Sequence, residues 1–168
     1  IDVTTVNTEV FKNYKFNEML IRSLTGVNLK MEFDNDFKYC RNGVINMFPY
    51  YGIDLIPYNN GISGYLDASK PTIIEGEEVS GLRLSIENSS VIDFDSDTNH
   101  ELLKEFFKYS NGCKVESISL IGSESPIYSY LGTYNHDVLD MNANSYITLV
   151  LNDSRKIYVP IEAKSLQV

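Results

Sequence analysis

Apolar and polar residues alternate along this chain in short runs, each ended by Asn, Gly, Asp or Pro. The cleanest run sets Val27, Leu29, Met31 and Phe33 against Asn28, Lys30 and Glu32. A period of two places one set on a buried face and the other in water, which is the signature of a half-buried strand. Similar runs predict further strands at 37–41, 44–50, 71–75, 79–87, 90–95, 114–121, 127–133, 146–151 and 156–161.

Two stretches break this rhythm. Val10, Phe11, Tyr14, Met19, Leu20, Ile21 and Leu24 recur at helical spacing and predict a helix over 8–25, ended by Gly26. Thr98 and Glu101 have the spacing of a capping box ahead of Leu102, Leu103, Phe106 and Phe107. They predict a second helix over 99–110, stopped by Asn111 and Gly112.

Turn chemistry links the strands locally. Asn42-Gly43 predicts a tight hairpin between 37–41 and 44–50, because both central residues of a type I′ turn need positive φ. Asn152 to Arg155 predicts another between the last two strands, Gly76 and Gly81 suit turns or bulges, and 134–144 reads as a loop. Hairpin links favour antiparallel pairing. The expected fold is therefore α+β: a mainly antiparallel sheet of about ten strands, as a sandwich or open barrel, with two helices. No linker or repeat divides the chain, so residues 1–168 are expected to form one domain.

The charge narrows function. With a net charge of −9, the chain would be repelled by a phosphate backbone, so no nucleic-acid partner is expected. A basic protein would be attracted. No apolar run reaches the roughly 18 residues of a membrane span, which predicts a protein of the cytoplasm without membrane contact. Cys40 and Cys113 share no motif and are expected to be reduced and buried.

Short catalytic signatures are absent. His136-Asp137 is half of an acid–base system, but no activated Ser or Cys accompanies it. His100 sits in the first turn of the second helix. Asp93, Asp95 and Asp97 have the spacing of the first half of a calcium loop, yet Thr98 replaces the turn glycine and Lys104 the bidentate Glu. No metal or other cofactor is expected.

What remains is a set of binding candidates. Glu75, Glu77 and Glu78 form one acidic turn, and Asp93, Asp95 and Asp97 a second acidic patch. Tyr50, Tyr51 and Tyr58, set among Pro and Gly, could act as aromatic anchors. These features predict a non-enzymatic acidic protein, of inhibitor or immunity type, that neutralises a basic partner such as a nuclease toxin. The alternative is a β-rich structural component of a virion, tail or surface assembly.

Overall fold

A computed structural model describes residues 17–23, 26–33, 39–40, 43–45, 48–50, 52–58, 60–109, 112–122, 125–127, 137–163 and 165–167. Fifteen strands and two helices are described. In chain order they are β1 (Glu18–Arg22), β2 (Asn28–Glu32), β3 (Tyr39–Cys40), β4 (Gly43–Ile45), β5 (Phe48–Tyr50), β6 (Gly52–Leu55), β7 (Ile62–Asp67), β8 (Thr72–Ile74), β9 (Glu77–Val79), β10 (Arg83–Glu87), β11 (Ser90–Asp95), α1 (His100–Tyr109), β12 (Cys113–Ile121), α2 (Asp137–Ala143), β13 (Tyr146–Leu151), β14 (Lys156–Pro160) and β15 (Ser165–Gln167).

Eleven strands make one open sheet in the order β14-β13-β12-β11-β10-β7-β2-β1-β15, with β6 joining β12 and β3 joining β6. Pairs β4–β5 and β8–β9 form two small separate sheets. Every described pairing is antiparallel. The expected α+β class therefore holds, and the sheet is open rather than closed into a barrel.

Alternation sets which face is buried. In β2 Leu29 and Met31 are fully buried, and in β10 Leu84 and Ile86, while the residues between them face outward. The second half of β12 and nearly all of β13 are buried on both faces. There α2 lies against β12, so no solvated face is left to keep polar. On the other flank α1 buries Leu103 and Phe106, and Phe107 stacks on Phe94 of β11 with ring centres 4.6 Å apart.

The turns follow backbone sterics. Glu75 and Gly76 (φ 52° and 81°) close β8–β9, and Asn88 and Ser89 (φ 49° and 62°) close β10–β11, both as two-residue turns with paired positive φ. At Gly64 (φ 136°) β7 runs so close to β2 that an added Cβ would lie 2.0 Å from the Asn28 carbonyl oxygen.

Three expectations are corrected. Residues 18–22, expected in the helix over 8–25, form β1: Met19 and Ile21 are buried two residues apart, while Glu18 and Arg22 are exposed. Pairing with β2 on one side and β15 on the other holds them extended. The part of that helix over 8–16 lies outside the described residues. Next, Gly43 is not a turn residue joining β3 to β4. It pairs with Tyr50, so β4 joins β5, and β3 joins β6. Finally, the expected loop over 134–144 contains α2.

The capping box is also not formed. The Thr98 hydroxyl accepts the Ser80 N–H at 2.9 Å, and the Glu101 carboxylate takes the Lys104 ammonium at 3.0 Å. Asn99 stands just before α1, its carbonyl accepting the first helical N–H, that of Leu103, while its side chain turns away to the Glu78 carbonyl. No helix among the described residues is long and apolar enough to cross a membrane.

Candidate functional site

Three of the six acidic candidates, Glu75, Asp95 and Asp97, are committed to arginines. Arg83 on β10 stands opposite Asp95 on β11. Its guanidinium donates to Asp95 at 2.8 Å and to Asp97 at 2.9 Å. The hydrogen bond from Arg83, helped by the Ser96 N–H, holds the Asp95 carboxyl below the usual carboxylate range. Asp93 turns to its own chain and accepts the Phe94 N–H. Glu75 is gripped by Arg155, which also holds Asp153 at 2.6 Å and lies over the Phe106 ring.

Glu77 and Glu78 are exposed on the β8–β9 hairpin. The two acidic segments do meet: Asn99 Nδ2 donates to the Glu78 carbonyl at 2.8 Å, and the Asp97 N–H to the Ser80 carbonyl at 2.9 Å. Tyr58 is 55% exposed on a loop stitched to Glu32 and Gly61. The Tyr50 side chain and all of Tyr51 lie outside the described residues, as does His136. His100 Nδ1 sits 3.5 Å from Asp95.

A different place has the shape of a site. An open cleft of about 120 Å³ lies beside the sheet's β14 end. Lys70 and Pro71 form one wall with Ile73 of β8, and Asp140 and Met141 of α2 another. Tyr146, Lys156, Ile157, Tyr158 and Pro160, from β13 and β14, complete it. The Ser69 N–H donates to the Pro160 carbonyl at 2.9 Å and pins the Lys70 loop to the sheet. The Tyr146 and Tyr158 rings meet edge to face at 5.8 Å. The Ser145 hydroxyl and carbonyl accept the Ile121 and Ile161 N–H groups, fixing the start of β13.

The cleft's electrostatics differ from those of the whole chain. Burial pushes the Lys70 ammonium below its ordinary pKa, and the Asp140 charge partly offsets this. The Glu116 carboxylate, 2.9 Å from Lys156, raises the Lys156 pKa. Lys156 set against Glu116, and Lys70 near Asp140, balance charge at the cleft, unlike the acidic excess of the chain as a whole. The site pairs apolar walls with a few converging polar groups, the usual form of a small-molecule site. No sequence motif marks it: its lining is drawn from positions 70–73, 140–146 and 156–160, and the fold alone brings them together.

Comparison with known proteins corrects the functional expectation. Residues 4–150 match the thermophilic metalloprotease family M29. Aminopeptidase 2 of Geobacillus stearothermophilus is 27% identical over 96 residues, which take in 56% of this chain and 23% of that protein. Aminopeptidase PepS of Streptococcus thermophilus is 22% identical over 87 residues, 51% of this chain and 21% of the relative.

Among solved structures, wild-type AmpT from Thermus thermophilus superposes with a TM-score of 0.70 at 14% identity, covering 90% of this chain and 45% of that one. The 2,5-dihydroxypyridine dioxygenase of Pseudomonas putida superposes with a TM-score of 0.67 at 14% identity, covering 90% and 51%. These two likenesses show the fold, and the chain spans about half the length of either protein. The family match overturns the non-enzymatic inhibitor or immunity-type protein and the structural-assembly alternative.

Proposed function

The chain belongs to the thermophilic metalloprotease family M29, and from that membership we propose that residues 1–168 form one domain of an aminopeptidase. The family match over 4–150 carries this reading, since it takes in Lys70, Pro71, Asp140, Met141 and Tyr146 of the cleft. The role assigned to the cleft is to hold substrate. Its apolar walls suit a side chain and its charged groups suit the polar ends of a peptide. A fold shared with a dioxygenase does not itself set the chemistry, so the reading rests on the family and the cleft rather than on the fold.

The family's description implies a metal. The donor set among the described residues does not fit one, because no three His, Cys, Asp or Glu side chains there are grouped to hold an ion. The described imidazole, His100, lies beside Asp95, whose carboxylate is already held by Arg83. The Cys113 thiol is buried and its pKa is pushed up to about 12, away from the thiolate a metal requires. The part assigned to this domain is therefore binding and orientation. A cytoplasmic location completes the proposal, as a buried, unbridged Cys113 suits a reducing compartment.

The test is hydrolysis by the intact protein of a short peptide with a free amino terminus, alongside the same peptide acetylated. Release of the first residue from the free peptide alone is the expected result. Equal cleavage of both, or cleavage of neither with divalent metal supplied, would overturn the aminopeptidase reading.

A further inference from the structure

We propose that the cleft between β8, α2 and β14 takes one large uncharged side chain, aliphatic or aromatic, of a bound peptide, and that Ile73 sets this choice. That the side chain belongs to the peptide's first residue rests on the aminopeptidase reading. The preference for apolar over charged groups rests on the cleft itself.

Charge sets the first limit. The charged residues that line the cleft, Lys70, Asp140 and Lys156, are already engaged. Glu116 holds Lys156 at 2.9 Å, Lys70 and Asp140 are close enough to act on each other electrostatically, and each of these two has a partner. A charged side chain entering here meets balanced charge and gives up its hydration without replacement. An uncharged one carries no such cost.

Apolar contact sets the second. Ile73 of β8, Met141 of α2 and Ile157 of β14 bring apolar surface from three elements to one space. Strand alternation turns Thr72 and Ile74 inward and leaves Ile73 to the cleft. Methionine adapts its shape to what it meets. The Tyr146 and Tyr158 rings, edge to face at 5.8 Å, add aromatic surface. Ile157 also belongs to the buried core, whereas Ile73 stands half-buried on a hairpin with its own small sheet. Ile73 is therefore the wall residue that can vary without disturbing the main sheet.

Size sets the third. One water needs roughly 10–15 Å³ of such space, so about 120 Å³ corresponds to on the order of ten water positions. That is room for one large side chain and the atoms that carry it, and not for several residues of a peptide.

Calorimetric titration of the intact protein tests the idea with five dipeptides whose peptide bond is reduced to CH2–NH, so that none can be hydrolysed. They differ in the first residue: phenylalanine, leucine, alanine, lysine or glutamate. The phenylalanine and leucine probes should bind at least tenfold more tightly than the other three, since even one methylene in an apolar pocket is worth roughly tenfold or more. Ile73→Ala should lower the leucine-over-alanine ratio at least threefold, and Ile73→Leu should keep it. The ratio is the readout because a general loosening of the fold weakens all five probes alike. If Ile73→Ala does not fold, Ile73→Val should still lower the ratio measurably.

Equal binding of the five probes, tighter binding of the lysine or glutamate probe, or no binding of the phenylalanine and leucine probes at millimolar concentration would overturn the proposal. A ratio unmoved by the shortened side chain would overturn the role of Ile73. Peptide hydrolysis is read separately. Turnover with five equal probes sinks this inference and leaves the aminopeptidase reading intact, whereas selective binding without turnover does the reverse.

Discussion

Single residues in this protein divide into those that satisfy their polar atoms and those that do not. Thr72 is 1% exposed, and its hydroxyl has no hydrogen-bond partner. Strand alternation turns it inward with Ile74, while Ile73 between them lines the cleft. A buried hydroxyl without a partner costs free energy that an isosteric methyl does not. Thr72→Val should therefore stabilise the protein by about 1 kcal/mol, seen as a higher denaturation midpoint at unchanged slope; a lower midpoint would mean that the hydroxyl is satisfied in solution. Arg83 shows the opposite case. The folded pKa of Asp95 lies below its unfolded value, so the pair contributes fully above the ordinary aspartate pKa of about 3.9 and is lost as pH falls through the folded value. In Arg83→Met the Asp95 pKa, followed by NMR, should rise toward the ordinary value, and stability should lose part of its acid dependence. An Asp95 titration unmoved by the substitution would place the cause elsewhere. Both groups are well exposed, so the effect on stability at neutral pH should be small.

At the scale of elements, the start of α1 is held by contacts that no local pattern announces. Asn99 stands at a φ of 53°, in the left-handed region, and its side chain reaches the Glu78 carbonyl. Asparagine tolerates that backbone, and alanine is strained there. Asn99→Gly should lose only the side-chain bond, at about 1 kcal/mol, whereas Asn99→Ala should lose the bond and add backbone strain, for about 2 kcal/mol in all. Urea midpoints of the two variants measure the difference, and equal losses would show that φ at this position relaxes. The stretch 18–22 teaches a related lesson. Met19, Leu20 and Ile21 are consecutive, so they fit a helical face or a strand equally well. Hydrogen bonding to β2 and β15 decides for the strand; β2 follows six residues after β1 in a local hairpin, whereas β15 is distant in the chain.

At the scale of the whole molecule, stability should be graded outward from β12. This strand pairs with β13 along one edge and with β11 and β6 along the other, and Ile118, Leu120, Ile147 and Leu149 around it are fully buried. The β8–β9 hairpin forms its own two-stranded sheet, with Glu77 and Glu78 exposed. Amide hydrogen exchange should be slowest at Ile118, Leu120, Ile147 and Leu149 and orders of magnitude faster at Glu77 and Glu78. Uniform protection would mean that the protein opens only as one unit. The same hairpin carries Ile73 into the cleft, so ligand binding should slow exchange there before it affects β12.

Alternation in the sequence determined the strands at 28–32, 90–95, 113–121, 146–151 and 156–160 to within a residue or two, because side-chain period is a local property of extended backbone, whereas the single strand expected over 79–87 is divided into the end of β9 and β10. It likewise determined α1, whose apolar face repeats at helical spacing from Leu102 to Phe107. The acidic patches were legible as charge, but not as charge already spent on Arg83 and Arg155, since those partners are 12 to 80 residues away. The partners of β3 and β4, and the choice of strand over helix at 18–22, were set only by tertiary pairing. So was the cleft. Lys70 and Asp140 each look like ordinary surface residues in the sequence, and only the packing of β8 and α2 against the β14 end of the sheet makes them face one space. Local sterics and hydrophobic period act between near neighbours and can be read directly, whereas a binding site depends on contacts between residues the chain keeps far apart.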